Sequence, residues 1–337
     1  MNELLSKALA SMAQTRALLV GDLVLDSYLY GETGRVSREA PVVVVEKRSM
    51  EYRLGGGANT AANLSALGVQ TTVLSALGND TGADAIQSRL TGCGVDLAIR
   101  RHGALTTPVK NRILAGAYGT AKQQVLRIDE TPSLPLPRTV QLGIADMLEE
   151  LAPRADVVVV ADYGLGIVDE AVIAKLSSLA AEGVLVCVDS RHQVRSYRGV
   201  TAVTPNVPEV EAALGVSLHG DASVARAGRQ LQEELDCRAV LMTLGRSGMS
   251  LFKADGTHSR VPIVGEDEVT DVTGAGDTVC ATFAAAIAAR VGMVNAMRLA
   301  NLAASIVVNK QGTATASTDE MLVAGTRFSV ELEPWGG

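Results

Sequence analysis

The chain has 337 residues, of which 47% are hydrophobic and 20% are charged, a composition typical of a folded globular protein with a large core. Its formal net charge of −7 argues against a surface for nucleic acid or anionic lipid. Aromatic residues make up only 3%, which leaves few side chains for stacking on bases or for an aromatic membrane belt. We therefore expect a small polar substrate, with no nucleic-acid or membrane partner.

The N-terminal segment MNELLSKALASMAQTR lacks the continuous apolar run of a signal peptide, and its pattern predicts a short amphipathic helix. The longest apolar stretch, residues 279–294, contains Arg290 and is too short to span a membrane. The cysteines form no C-x-x-C pair, which argues against a structural zinc site and suits reduced thiols. These features predict a cytoplasmic protein.

Short β-branched runs alternate with helix-period segments along most of the chain. The strands are predicted at residues 17–21, 71–77, 156–162, 184–189, 202–205 and 239–245. The helices are predicted near residues 58–67, 81–91, 137–151, 169–182, 206–214, 222–236, 275–290 and 293–309. Strands that read as near-continuous Val and Leu runs are buried on both faces, as a parallel sheet covered by helices requires. The pattern predicts an α/β fold with a doubly wound, mostly parallel sheet.

Two segments, residues 29–54 and 107–128, break this alternation. Both alternate like strands, carry many charges and have no helical pattern between them. We predict that they form a small antiparallel sheet inserted into the α/β body as a lid, and the apolar run VVVV within the first segment favours a homodimer through it. No internal repeat or Pro/Ser-rich linker appears, so we expect one continuous domain over residues 1–337, with a loosely attached tail after about residue 325.

The stretch DVTGAGDTV places small residues and an acid at the predicted start of a helix. The unpaired amides of Gly274, Ala275 and Gly276 would be open to an anion, because no large side chain covers them. Asp277, in the first turn, would be a poor phosphate ligand, but it is well placed to take a proton from a nucleophile that attacks a phosphate. The alternative is a helix capped by Asp271 or Thr273, with glycines that only permit close packing.

Three further stretches carry polar side chains next to bare backbone or strand ends. LGGGANTAANLSALG runs from glycines into a helix beside Asn59, whose amide can bind hydroxyls. GDLVLDSY closes the first strand with Asp22 and Asp26, and such carboxylates face the ligand crevice and can bind a sugar diol, although solvated loop acids are the alternative. In TPNVPEVEAAL, Asn206 and Glu209 could hold a hydrated Mg²⁺ beside a polyphosphate, or they could form a helix capping box.

The glycine cluster near the start and DVTGAGD near the end make the chain resemble the ribokinase-like (PfkB) family of ATP-dependent carbohydrate kinases, from about residue 17 to residue 315. The resemblance implies that ATP and Mg²⁺ are required, that Asp277 is the catalytic base and that the amides at 274–276 form the anion hole. It also implies that the nucleotide contacts Asn206, Glu209, Thr243, Gly245, Asn301 and Ala304. Glu209 would hold Mg²⁺ through water, and Asp271 would shape a turn or support a monovalent cation such as K⁺. The sugar-binding positions implied are Asp22, Asp26, Gly56, Gly57 and Asn59.

Within that family, the chain is most similar to the heptose kinases of ADP-heptose biosynthesis, which phosphorylate the anomeric hydroxyl of D-glycero-D-manno-heptose 7-phosphate. The likeness lies in GDLVLDSYLYG, RVSREAPVVVVE, RLGGGANTAANLSALG, KNRIL with QQVLRID, and GAGDTVCATFA with QGTAT. It would place Lys110, Arg112 and Arg127 on the lid, where cations could bind a phosphate already on the substrate. Solvated surface charges are the alternative.

The chain departs from those kinases at three places near the expected crevice, one of which is the lid hairpin LAGAYGTAKQQ. Where they carry D-Y-x-K-G, this chain has Asp162-Tyr163-Gly164-Leu165-Gly166, and where they carry D-P-K it has Asp189-Ser190-Arg191. Another sugar, sugar phosphate or nucleoside therefore stays open as the acceptor. No H-x-G-H motif occurs, so in that pathway we expect the chain to supply only the kinase step.

Two other classes of protein compete with a kinase. A dehydrogenase is suggested by DVVVVADYGLGIVD, which copies the strand and G-x-G of a dinucleotide-binding fingerprint, with Asp189 ending the next strand. Asp169 stands where the third glycine or alanine should be, however, and the other glycine clusters would stay unexplained. A non-catalytic sugar or nucleotide sensor on a kinase fold is the third interpretation, and Asp277 argues against it because a sensor needs no base.

Overall fold

The structure is a computed structural model that describes residues 3–265 and 270–335. In those ranges the helices are α1 (Glu3–Met12), α2 (Gly57–Ala66), α3 (Thr81–Gly92), α4 (Arg138–Leu151), α5 (Glu170–Ala181), α6 (Val207–Leu214), α7 (Asp221–Leu235), α8 (Ala275–Ala288), α9 (Met293–Val307) and α10 (Thr318–Arg327). The strands are β1 (Arg16–Gly21), β2 (Leu23–Val36), β3 (Val43–Gly56), β4 (Gln70–Leu77), β5 (Asp96–Arg101), β6 (Val109–Gly116), β7 (Gln123–Glu130), β8 (Val157–Asp162), β9 (Val186–Ser190), β10 (Ala202–Val203), β11 (Ala239–Thr243), β12 (Met249–Lys253) and β13 (His258–Val261).

The larger sheet has the strand order β13-β12-β11-β10-β9-β8-β1-β4-β5. All pairings from β11 to β5 are parallel, and β12 and β13 add an antiparallel edge. Neighbouring residues of the central strands enter opposite cores: Val157 and Val159 pack with α2, α8 and α9, whereas Val158 and Val160 pack with α4, α5 and α7. The predicted doubly wound sheet is confirmed. Its Val runs have apolar helices on both faces, as a buried parallel strand requires.

The smaller sheet, called the lid sheet below, has the order β3-β2-β6-β7. It confirms the predicted lid, and its two outer pairings are antiparallel as expected. The central pairing, between β2 and β6, is parallel. The reason is connectivity: after the hairpin of β2 and β3, the chain runs through α2, β4, α3 and β5 of the main body before it returns as β6, and a parallel pair requires such a crossover in place of a hairpin.

Four elements were not predicted, namely β5, β12, β13 and α10. β5 and β13 are the two edge strands of the main sheet and are partly exposed, so their sequences carry charges that hide the strand pattern, whereas β12 lies between β13 and β11 and is mostly buried. The expected loose tail is wrong in the described part: Val330 and Leu332 are buried in the core. The Asn295 side chain also donates to the Glu333 carbonyl at 2.9 Å and accepts from its amide at 2.9 Å.

The N-terminal segment forms α1, which buries Leu5, Leu9 and Met12, as its amphipathic pattern predicts. The cysteines carry free thiols, and all of them except Cys93 are buried. Within residues 3–265 and 270–335, no helix combines the length and the hydropathy that a transmembrane span needs.

Candidate active site

The carboxyl ends of the parallel strands and one face of the lid sheet border a common crevice. The strand register sets Asp26 beside Lys110 and Arg53, and Tyr28 beside Arg112, so these side chains share one face of the lid sheet. Lys110 Nζ lies 5.5 Å from the ring centre of Tyr163, in the loop that follows β8. This face, called the inner face below, is therefore turned toward the carboxyl edge of the main sheet.

Asp277 lies at the bottom of the crevice, in the first turn of α8, and is only 3% exposed. Its Oδ2 accepts a hydrogen bond from Asn59 Nδ2 at 2.8 Å, and its Oδ1 accepts one from the Tyr163 hydroxyl. Burial raises the pKa of Asp277 to about 6, although the two donors favour the charged form and oppose the shift. A carboxylate with a pKa near the working pH suits a general base.

The start of α8 exposes backbone amides beside Asp277. Gly274 adopts the left-handed conformation with φ 81°, and a β-carbon there would lie 2.5 Å from Asn59 Nδ2. Among the described residues, no carbonyl accepts from the amides of Gly274 and Gly276. The prediction was wrong for Ala275, whose amide donates to the Val272 carbonyl at 3.2 Å and closes the preceding turn. Of the three amides predicted to bind an anion, those of Gly274 and Gly276 therefore stay available.

A cavity of about 300 Å³ opens on the other side of this helix start, where Ala275 and Gly276 form part of its wall. Its other walls include four of the predicted nucleotide-binding residues, Thr243, Gly245, Asn301 and Ala304. Asn301 is held in place because its Nδ2 donates to the Pro262 carbonyl at 2.6 Å. The volume and the many apolar side chains of the wall fit the base and ribose of a nucleotide. The start of α8 therefore separates this cavity from the crevice of Asp277.

Asn206 and Glu209 form a capping box at the start of α6, one of the two arrangements that the sequence left open. Asn206 Oδ1 accepts from the Glu209 amide, and Glu209 Oε2 accepts from the Asn206 amide, each at 2.9 Å. Burial raises the pKa of Glu209 and these bonds oppose the shift. Asn206 also bridges to Thr243, so the box borders the nucleotide cavity. Glu209 Oε1 accepts no hydrogen bond from a described residue, which leaves it available to a hydrated Mg²⁺.

Asp271 shapes a turn. Its Oδ1 accepts from the amide and the hydroxyl of Thr273 at 2.9 and 2.7 Å, and its Oδ2 accepts from the Gly312 amide at 2.9 Å. Burial alone would raise its pKa, but these donors outweigh burial and the pKa is lowered. Asp271 thus joins the start of α8 to the loop at Gly312. A monovalent cation at this carboxylate stays a prediction.

Asp22 does not face the sugar crevice, contrary to the prediction from its strand-end position. Its carboxylate is 1% exposed and accepts hydrogen bonds from the backbone amides of Tyr163, Leu165 and Ile167 at 2.8, 3.0 and 3.1 Å. Burial raises its pKa to about 6 despite these bonds. The carboxylate is thus used to fix the loop that carries Tyr163, with two amides on Oδ2 and one on Oδ1.

The glycine cluster permits close packing around the start of β2. The Gly57 amide donates to the Asp22 carbonyl at 2.9 Å, so its predicted contact with a sugar is wrong for this geometry. A β-carbon on Gly55 would lie 2.6 Å from Asp26 Oδ2, and one on Gly56 would lie 3.0 Å from the Asp22 carbonyl oxygen. The predicted sugar contacts of Asp26 and Gly56 stay predictions. Asn59 faces Asp277 and not the open crevice, because its Nδ2 donates to that carboxylate.

The three predicted lid cations differ in whether a carboxylate of the protein forms an ion pair with them. Arg112 forms a buried ion pair with Asp26 at 2.5 Å, and Arg127 pairs with Asp129 at 2.9 Å. Of the three, only Lys110 has no carboxylate of the described residues within ion-pair distance. Burial lowers the pKa of Lys110, and neighbouring Asp26 opposes that shift. Lys110 is therefore the cation of these three whose charge is not neutralised by an ion pair with a described residue.

Two residues of the crevice were not predicted. Tyr163 contacts Asp277, and its sequence signal was the Asp-Tyr pair after the buried Val run, which looked like an interruption of a dinucleotide motif. Arg53 donates to the Gln311 carbonyl and lies 5.2 Å from the ring centre of Tyr28, so it links the inner face of the lid sheet to the loop beside Gly312. Its only sequence signal was a basic residue before LGGG.

The geometry after β8 argues against the dehydrogenase interpretation. Asp169 is the N-cap of α5 and accepts from the Val172 amide at 2.9 Å. The Gly164 amide donates to Asp162 at 3.1 Å, and the Leu165 amide donates to Asp22. A dinucleotide fingerprint needs free amides there for a pyrophosphate, and the protein's own carboxylates already occupy them.

Comparison with known proteins agrees with the geometry of this site. Residues 14–320 match the description "pfkB family carbohydrate kinase". The bifunctional protein HldE of Geobacter metallireducens is 39% identical over 309 residues, which are 91% of this chain and 62% of that protein. The HldE protein of Chromohalobacter salexigens is 39% identical over 317 residues, which are 94% of this chain and 64% of that protein. The chain thus spans less than two thirds of the length of these relatives.

Solved structures share the fold. Phosphofructokinase-2 from Escherichia coli in complex with substrates and products has a TM-score of 0.78 at 17% identity, covering 94% of this chain and 99% of that one. Ribokinase from Arabidopsis thaliana complexed with ribose and ATP has a TM-score of 0.73 at 21% identity, covering 92% and 98%. The family match extends over most of the chain and includes the start of α8 and the glycine cluster. The chain therefore belongs to the pfkB family of carbohydrate kinases and is an ATP-dependent sugar kinase.

Proposed function

We propose that this kinase phosphorylates the anomeric hydroxyl of D-glycero-β-D-manno-heptose 7-phosphate. The observation that carries the reaction is the position of α8, whose first residues line the nucleotide cavity on one side while Asp277 faces the crevice on the other. A hydroxyl at Asp277 and a terminal phosphate at the amides of Gly274 and Gly276 would meet at this helix start. The protein thereby supplies position and fixed charge, which are its main contributions to phosphoryl transfer.

The residues of the crevice have separate tasks in this proposal. Asp277 accepts the proton of the attacking hydroxyl. The amides of Gly274 and Gly276 stabilise negative charge on the phosphoryl oxygens, and Asn59 fixes the carboxylate from its Oδ2 side. Mg²⁺, when bound, supplies positive charge to the phosphates, and the free oxygen of Glu209 beside the cavity fits a water-mediated contact with it.

An acceptor that already carries a phosphate is supported by Lys110. Its ammonium lies on the inner face of the lid sheet without an ion pair among the described residues, within reach of the crevice. The sequence resemblance to heptose kinases and the HldE relatives support a heptose phosphate as that acceptor. The departures at Leu165 and Arg191 keep a different sugar phosphate as the second candidate.

We expect an ADP-release screen to find much faster turnover of heptose 7-phosphate than of fructose phosphates, pentoses, nucleosides or unphosphorylated heptose. Lys110→Met should lower kcat/KM for the phosphorylated heptose by about 10–100-fold, the usual effect of losing one charge-assisted hydrogen bond, and should lower it much less for the unphosphorylated sugar, which has no phosphate to lose. Lys47→Met is the control, because Lys47 contacts Met50 on the opposite face of the lid sheet. Equal kcat/KM for both forms of the sugar would contradict a phosphate-bearing acceptor.

We also propose that the chain is a single kinase domain with the lid sheet inserted, and that two copies associate through the outer face of that sheet. Leu126 and Ile128 lie on this face, opposite to Lys110 and Arg112, together with Met50 and Tyr52. All four are exposed, which is unusual for large apolar side chains on one side of a sheet. A second copy would cover them.

Ile128→Asp should convert a dimer into a monomer in light scattering after size exclusion. Ile128 is 52% exposed, so the carboxylate would cost little in an isolated chain but would be desolvated in the interface. Val323→Asp is the matched control, because Val323 is 70% exposed on α10, far along the chain from the lid sheet. If the parent chain is monomeric, or if Ile128→Asp stays dimeric, this interface is wrong.

A further inference from the structure

The Tyr163 hydroxyl donates a hydrogen bond to Oδ1 of Asp277. We propose that Tyr163 is a positioning residue that fixes the orientation and the ionised state of Asp277 and connects this carboxylate to the lid sheet; the inference rests on the proposed role of Asp277 as the base. Asn59 Nδ2 donates to the other oxygen at 2.8 Å, so the carboxylate is held at both ends. Each oxygen keeps a further lone pair for a sugar hydroxyl.

The loop that carries Tyr163 is fixed by two buried carboxylates. Asp22 accepts from the amides of Tyr163 and Leu165 at 2.8 and 3.0 Å. Asp162 accepts from the Gly164 amide at 3.1 Å, and both carboxylates are 1% exposed. Consecutive amides are thus bonded to rigid core positions at the ends of β1 and β8. The phenol ring leaves this fixed backbone toward α8, so the position of its hydroxyl is set by the core.

The ring of Tyr163 lies between that core and the lid sheet. Lys110 Nζ is 5.5 Å from the ring centre, and a β-carbon on Gly56 would lie 3.4 Å from Cε2. A cation over an aromatic face is attracted to it, and its field strengthens the hydroxyl as a donor. The ring therefore contacts the lid sheet with its face and the base with its hydroxyl. A change in the position of Lys110 would be transmitted to Asp277 through this single side chain.

The charges around Asp277 determine the direction of the effect. Burial and the neighbouring carboxylates raise the pKa of Tyr163, so the phenol keeps its proton and acts as a donor. A donor to a carboxylate stabilises the ionised form, so removing it should raise the pKa of Asp277. The other titratable groups that face Asp277 are unchanged by this removal, and they are Asp26 on β2, Lys110 on β6, Asp189 on β9 and Cys280 on α8.

The test is a carbon-13 NMR titration of aspartate carboxyl groups, which requires no substrate. The Asp277 signal is identified by its absence in Asp277→Asn, and its midpoint in the parent chain is expected near pH 6. In Tyr163→Phe the midpoint should move up by about 1 pH unit, a tenfold change in the ionisation constant. Tyr197→Phe is the matched control, because the Tyr197 hydroxyl donates at 2.7 Å to Oδ2 of a different buried carboxylate, Asp162, which keeps the Ser190 hydroxyl on Oδ2 and the Gly164 amide on Oδ1. That control should leave the Asp277 midpoint in place.

Kinetics with heptose 7-phosphate and ATP give the second measurement. In a plot of kcat/KM against pH, the midpoint of the fall at low pH should move up by about 1 pH unit in Tyr163→Phe. The loss of activity should therefore be larger at pH 6 than at pH 8.5. An unshifted Asp277 midpoint in Tyr163→Phe would overturn this inference alone. An active Asp277→Asn would overturn the proposed base, and the NMR titration would still decide whether Tyr163 stabilises the carboxylate.

Discussion

Replacing Asp277 with Asn should lower kcat by about 10²–10⁴-fold, the usual range for the loss of a general base, while ATP binding stays largely intact. The carboxylate is buried, accepts hydrogen bonds from two donors, and has its pKa raised to about 6. The amide has nearly the same shape but cannot take the proton of an attacking hydroxyl. Because the nucleotide cavity is lined by Ala275 and Gly276, and not by Asp277, the substitution leaves its wall unchanged.

The measurements are single-turnover rates and calorimetric titration with ATP. Asp319→Asn is the control, because Asp319 also lies in the first turn of a helix but is exposed on α10. In the parent chain, kcat/KM should fall as the pH is lowered through about 6, since protonation removes the base. A rate of Asp277→Asn within a few-fold of the parent would remove Asp277 from the chemistry and leave the amides of α8 as the main source of catalysis.

The sequence predicts the main sheet well because its signals are local. Residues 157–160 of β8 are four consecutive valines that only a two-sided core explains, and each predicted helix has its own apolar period. The position of the proposed base was also predictable, because DVTGAGDTV places Asp277 directly after bare backbone at the start of a buried helix. The edge strand β13 was missed because its residues are partly exposed, and their polar and charged side chains hide the apolar alternation that predicts a strand.

The sugar side of the site was harder to predict, because its geometry depends on distant partners. Asp22 was expected to contact substrate, but its partners are backbone amides about 140 positions away, which residues of any type supply. Arg112 was expected to stand on the lid and bind a phosphate of the substrate, but the register of β2 and β6 brings it to Asp26, and no local pattern encodes that register. Tyr163 was visible only as a departure from a dinucleotide motif, and its role depends on a contact with α8.

Replacing Gly274 with Ala should lower kcat by about 10²–10³-fold, the range seen when one donor to a developing anion is lost. The substitution acts in two ways. Ala at φ 81° is strained by about 1 kcal/mol, which shifts the backbone that presents the amide. Its β-carbon would also lie 2.5 Å from Asn59 Nδ2 and 3.2 Å from Thr313 Cγ2. Asn59 must then move, and Asp277 loses the donor that holds its Oδ2 at 2.8 Å.

Gly94→Ala separates the two effects. Gly94 has a φ of 77°, so Ala pays a similar backbone cost there, but nothing lies within 4 Å of the added β-carbon. Both variants should lose stability by similar amounts in thermal unfolding, whereas only Gly274→Ala should lose turnover. If kcat falls equally in both, the loss comes from general destabilisation. If Gly274→Ala keeps the parent kcat, neither the Gly274 amide nor the bond from Asn59 supports the transition state, and the proposed anion site at the start of α8 is wrong.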